Sequence, residues 1–237
     1  MENLNVIEFH HTRDFSKKMN VTFEFIRQNF KALGKSILFI AGPPVLVASM
    51  MIGSFIGEFF NLTQSAATNP GDTETLQNYF MSVSFWLQIF MVMIFFIVSG
   101  VMTIATINNY VVLYGEKQTN RIEVGEVWER VRSTFWMYLS TMFFFSLLAV
   151  AAYIIMIIPV ILLATISPAL IFIGVLLLIA GIFYLLISVS LSFIVRAYES
   201  KGFFEAIGRS FSLVQGKWWS TFGLIMVLYL VMMTISY

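Results

Sequence analysis

The sequence predicts an all-α, polytopic helical membrane protein of repeated units, each an interfacial amphipathic helix plus a transmembrane hairpin. Three observations predict it. Of 237 residues, 59% are hydrophobic and 11% charged, against about 45–50% and about 25% in soluble globular chains. Uncharged runs recur at lengths that meet the ~20 residues a helix needs to cross a bilayer. One of them, 79–114, carries no charge from end to end, which a soluble helical domain could not sustain. Finally, one apolar ladder occurs three times: Phe23, Ile26, Phe30, Leu33; Trp128, Val131, Phe135, Tyr138; and Phe204, Ile207, Phe211, Val214. Its +3, +4, +3 spacing lines one face of a helix. A glutamate follows each first rung (Glu24, Glu129, Glu205). An arginine follows the second rung directly in two copies (Arg27, Arg132) and one residue late in the third (Arg209).

In chain order, residues 1–19 form a polar cytoplasmic tail that carries His10 and His11, and 20–237 form a single membrane domain. The first interfacial helix is predicted at about 20–33, with Glu24 and Arg27 paired across one turn, and Gly34-Lys35 ending it. Span one, about 36–60, contains Gly42-Pro43-Pro44. Two prolines remove two backbone donors, so a helix break, as a kink or local unwinding, is expected there. Glu58 closes the span at its outer boundary, and Asn69-Pro70-Gly71-Asp72 is a turn signal in the outer loop. Span two, about 79–114, would extend to roughly 54 Å against about 30 Å of hydrocarbon. It is expected to tilt, to break near Ser99-Gly100, or to project into the cytoplasm, with Gln88 bonded to a neighbouring helix.

The second interfacial helix, about 123–135, feeds span three at about 135–163, with Pro159 near its outer end. A tight turn at Ser167-Pro168 then forces an antiparallel hairpin with span four, about 169–195. Ser188, Ser190 and Ser192 dot its inner half, where serines bond back to their own helix or permit close packing. The third interfacial helix, about 201–215, is read as running straight into span five, about 218–237. Two units are thus complete, so either the C-terminus lies outside after five spans or, as the unit pattern favours, a sixth span follows Tyr237.

The 14 lysines and arginines fall into three stretches: Arg13 to Lys35, Lys117 to Arg132, and Arg196 to Lys217. The loops 61–78 and 164–167 contain none. By the positive-inside rule the N-terminus and all three basic stretches are cytoplasmic. The absence of cysteine excludes disulfides and thiolate metal sites.

Embedded catalysis or ion coupling needs ionisable groups at mid-depth, and no predicted span carries one there. No zincin, nucleophile-elbow or phosphate-loop motif occurs. The expectation is therefore no catalytic residue, no cofactor and no metal site, and nothing points to nucleic acid or a small-molecule substrate. His10-His11 reads as a solvated pair, because adjacent histidines diverge on regular structure. Trp218-Trp219 reads as interfacial anchoring and the scattered methionines as packing. The residues expected to touch lipid or a partner are Phe23, Arg27, Trp128, Arg132, Phe204, Arg209, Lys217 and Trp219, on the ladder helices and the segment that follows the third.

The third copy also carries a resemblance. Glu205, Ala206, Ile207, Arg209, Ser210, Phe211, Leu213, Val214, Gly216, Lys217 and Trp219 resemble the membrane domain attached to some bacterial glycerophosphoryl diester phosphodiesterases. They are similar also to related uncharacterised multi-span membrane proteins of bacteria. Asn109-Tyr110 to Glu116 resembles that family's second-span exit, and Pro43-Pro44 its proline in span one. The resemblance implies six spans and a bacterial inner membrane. It does not imply hydrolysis, because nothing like the catalytic barrel is present. The function expected is that of a non-catalytic scaffold or accessory subunit, docking membrane lipids and other membrane proteins. The alternative is a passive transporter or lipid-handling protein with a groove between units.

Overall fold

The computed structural model describes residues 7, 13–68 and 73–236. His10, His11, the turn at 69–72 and Tyr237 lie outside them. Among the described residues every regular element is helical. The helices are α1 (Phe15–Ser36), α2 (Gly42–Thr68), α3 (Thr73–Met81), α4 (Val83–Lys117), α5 (Val124–Ile166), α6 (Ile171–Val189), α7 (Ser192–Tyr198), α8 (Phe203–Val214) and α9 (Trp218–Ser236). Four helical segments are long and apolar enough to cross a membrane: Phe15–Thr68, Val83–Lys117, Val124–Ile166 and Pro168–Tyr198. A fifth is added if the bent pair α8–α9 counts as one span. The chain forms two compact units, one of residues 31–110 and 122–135, the other of 1–30, 111–121 and 136–237.

In the unit of 31–110 and 122–135, α1 does not stop at Gly34-Lys35. It continues through a π-helical turn, Ile37–Ala41, into α2, and the whole segment Phe15–Thr68 is 54 residues of helix. The prolines explain the turn. Pro43 and Pro44 cannot donate to the carbonyls four residues back, so the helix widens by one residue. The Gly42 N–H then reaches the Ile37 carbonyl. Gly42, Pro43 and Pro44 therefore mark a local π-helical widening within a helix that continues on both sides. Span two also differs from expectation. Ser82 separates α3 from α4, and its hydroxyl caps α4 by accepting the Phe85 N–H at 3.2 Å. From Val83 the helix passes Ser99-Gly100 without interruption. Phe85 packs among Phe55, Tyr79 and Phe80. Gln88 makes no hydrogen bond to another helix among the described residues. Lower on α4, Asn109 is buried and donates to the Thr134 hydroxyl at 2.8 Å, tying α4 to the first turns of α5.

In the other unit, the later part of α5 and all of α6 make an antiparallel pair. Ser167 is extended (φ −159°), and a 3-10 turn at Pro168–Leu170 opens α6. The pair is close because α6 presents glycines: a Cβ on Gly174 would lie 2.9 Å from Val160 Cα, and one on Gly181 would strike Met156 Cε. The glycines are seven residues apart and so share a face. Span four is interrupted: α6 ends at Val189 and α7 starts at Ser192. Here too the first turns of α1 pack on α9, with Phe15 against Gly223 and Lys18 Nζ donating to Ser220 Oγ at 3.3 Å. Phe25 meets Tyr114 edge-on at 5.0 Å.

Candidate functional site

The break between α6 and α7 frees backbone groups that a continuous helix would pair, and α8 supplies their partner. Ser210, wholly buried, donates its hydroxyl proton to the Ser188 carbonyl at 2.7 Å and accepts the Leu191 N–H at 3.2 Å. Ser188 and Ser190 return their own hydroxyls to Tyr184 and Ile187 of α6. An orphaned backbone group in an apolar surrounding costs several kcal/mol, so this clasp fixes α8 on α6.

Ser210 stands six residues after the first rung of its ladder. The same position in the other two ladders holds Asn29, which is buried, and Thr134, the partner of Asn109. The small polar residue thus marks the packed face. The first rungs face outward: Phe23 is 39%, Trp128 47% and Phe204 76% exposed, against 0% for Asn29 and Ser210. In α8 the covered positions are Ala206, Ser210 and Val214, with Phe203 against Phe144 and Phe145. The ladder marks the inward face only in part: Val131, Tyr138 and Val214 are buried, whereas Phe23, Ile26, Phe30, Trp128 and Phe204 are exposed.

The other expected contact residues are placed outward as well. Arg27, Arg132, Arg209, Lys217 and Trp219 are exposed. Glu24 accepts from Gln28 at 3.0 Å rather than pairing with Arg27. Around the third ladder, an ion cluster forms: Glu199 meets Lys201 at 2.8 Å and Arg209 Nε at 3.2 Å. The Lys201 hydrogen bond, and after it Arg209, hold the Glu199 carboxyl below its ordinary range against the opposing effect of burial.

Between α8 and α9 the chain turns by 93°. The expected straight passage into span five is absent, and the reason is Gly216. Its φ of +75° places it in the left-handed region that favours glycine. The Gln215 and Lys217 N–H groups close α8 on the Phe211 and Val214 carbonyls. Trp218 begins α9, stacks on Tyr184 and Phe222, and aims its indole N–H at the Tyr184 carbonyl at 3.4 Å. The elbow leaves a half-open cleft of about 310 Å³, lined chiefly by Tyr184, Ser188, Phe211, Gln215, Gly216 and Trp218. No formally charged side chain lines it. Of these lining residues, the sequence singles out Ser188, Phe211, Gly216 and Trp218, but not as parts of one site. The usable signal was the Gln215-Gly216-Lys217 step, a glycine just past a helix end.

A second polar feature joins α7 to α5. Arg196 Nη1 donates to Thr141 Oγ1 at 2.5 Å, and Thr141 donates on to the Met137 carbonyl at 2.6 Å. Phe193 stacks on Tyr138 and packs on Phe145, one turn either side of Thr141. Ser192, on the same face of α7 as Arg196, has a buried hydroxyl with no hydrogen-bond partner among the described residues. Among those residues, no three histidines or carboxylates gather as they would around a metal ion.

Residues 28–237 match the family model described as a domain of unknown function, DUF8558. The chain belongs to the DUF8558 family. No curated protein and no solved structure matches it. The DUF8558 region takes in the α6–α7 break, the Ser210 clasp, the elbow cleft and Arg196. The family description assigns none of them a role.

Proposed function

We propose that this DUF8558 protein is a non-catalytic integral membrane protein, serving as a scaffold or accessory subunit of a bacterial inner-membrane assembly. Its N-terminus and basic stretches are on the cytoplasmic side, and its ladder helices lie in the interface as three repeats of one unit. One observation carries the reading. In α5 the most apolar window has none of its residues buried within the chain. Tyr153, Ile154, Ile155, Ile158 and Ile161 are all at least half exposed. A helix of that composition needs an apolar surrounding on every side, which lipid provides and partner spans can share. The resemblance to the phosphodiesterase-linked membrane domains supports the same class of protein.

Gentle extraction followed by native mass spectrometry tests the scaffold role. A stoichiometric complex with another membrane protein is expected, and a chain that emerges alone across several detergents would refute it. Thr73→Cys should label from outside the cell and Ser133→Cys from inside; the reverse pattern overturns the orientation. The elbow cleft favours a second reading, a lipid-handling protein or passive carrier, because an uncharged aromatic-lined notch of this volume suits a small amphiphile. Liposomes containing the purified protein should then show accelerated lipid or solute movement, and unchanged rates would remove that reading.

A further inference from the structure

Among the described residues the half-buried guanidinium of Arg196 makes one hydrogen bond, to Thr141. No carboxylate of the described residues pairs with it. Glu199, three residues on, is committed to Lys201 and Arg209. The remaining guanidinium donors therefore have no partner among the described residues, and a half-buried cation without a counter-charge is costly. Thr141, itself anchored on Met137, holds one edge of the fork still, and the Tyr138–Phe193–Phe145 packing fixes α7 against α5. A preoriented planar fork with donors to spare suits a tetrahedral oxyanion.

We propose that Arg196, held in place by Thr141, binds the phosphate of a membrane phospholipid. Lipid is favoured as the source by depth. Arg196 is the first charge after the uncharged stretch 169–195, which at ~1.5 Å per residue rises roughly 40 Å and so leaves the ~30 Å hydrocarbon core at the headgroup layer. The inference rests on the membrane reading given above.

The test is lipid retention in native mass spectrometry, with the full chain in a non-ionic detergent titrated with phosphatidylglycerol. Dioleoylglycerol (no phosphate) and inorganic phosphate (no lipid) form the comparison arms. One phosphatidylglycerol per chain is expected. Arg196→Gln should weaken it about 10-fold or more, the effect of deleting a charge-assisted hydrogen bond. Arg121→Gln, with the same charge change on the exposed loop after α4, should leave it unchanged. Should Arg196→Gln fail to fold, Arg196→Lys decides: it keeps the charge but loses the fork, and should weaken retention about 3-fold or more. Equal retention by the Arg196 variant that folds overturns the site, as does equal retention of dioleoylglycerol. Inorganic phosphate bound through Arg196 while the lipid is not bound overturns the lipid source. A co-purifying protein lost with Arg196→Gln, without lipid binding, assigns the arginine to a partner's carboxylate instead. Alkaline extraction of the host membranes separates the two levels. A protein washed free refutes the membrane reading itself, whereas one that stays embedded and ignores Arg196 refutes only the phosphate site.

Discussion

Replacing Ser210 with alanine removes one oxygen from the clasp and changes little else, since the residue is wholly buried and the side chains differ by a hydroxyl. Two bonds go: the 2.7 Å donation to Ser188 O and the 3.2 Å acceptance from Leu191 N–H. No water replaces them in an apolar surrounding. A buried donor left without a partner costs about 1–3 kcal/mol. At about 2–4 °C per kcal/mol for a chain of this size, the midpoint of thermal unfolding in detergent should fall by roughly 2–12 °C. Ser212→Ala is the matched control, because that hydroxyl is exposed and only returns to Arg209 O at 2.8 Å; it should move the midpoint little. Hydrogen exchange localises the effect: the Leu191 amide should exchange faster in Ser210→Ala, while amides in the middle of α6 keep their protection. If both variants melt together with the parent and Leu191 stays protected, the break between α6 and α7 does not depend on α8, and the reasoning fails.

Three further outcomes follow from the geometry. Gly174→Ala should destabilise by about 1–3 kcal/mol through overpacking against the Val160 backbone, whereas Gly181→Ala should cost less because the opposing Met156 methyl can swing aside; equal midpoints for the two would contradict it. Gly216→Ala should cost about 1–2 kcal/mol from its left-handed φ alone, since an added Cβ meets no atom there. Gly216→Asn should cost less, and an alanine variant as stable as the parent would mean the 93° elbow is not held by that dihedral. For Glu199, the folded carboxyl titrates below its unfolded value, with Lys201 the leading cause. Its contribution is complete above the unfolded value of about 4.3, and it is lost as pH falls through the lower folded one. Glu199→Gln should flatten that acid limb of the stability curve without changing its slope near neutrality.

The spans were legible because membrane crossing is written in one dimension, as an uncharged run of sufficient length, and 135–163 and 169–195 sit within the helical segments observed. The packed face was legible from the ladders only in part, since Val131, Tyr138 and Val214 are buried but the first rungs are not. In water an apolar stripe turns inward; on the proposed membrane reading, Phe204 and Phe23 lose nothing by facing out. What needs burial there is the residue with a hydrogen bond to make, so Asn29, Thr134 and Ser210 give the inward direction that aromatic spacing hid. The prolines at 43 and 44 announced a disturbance, yet its form depended on whether a nearby amide could reach an extra residue back, as Gly42 does toward Ile37. The 93° turn hinged on one dihedral at Gly216, and the cleft on where that turn places Trp218 beside Tyr184. Neither is a property of any local stretch of sequence.

The clasp also sets an order of events during synthesis. Leu191 precedes Ser210 by 19 residues, so α6 and α7 leave the ribosome with their junction bare. At about 5–20 residues per second the missing hydroxyl emerges roughly 1–4 seconds later. For that interval the nascent junction carries open backbone groups, which α8 then pairs.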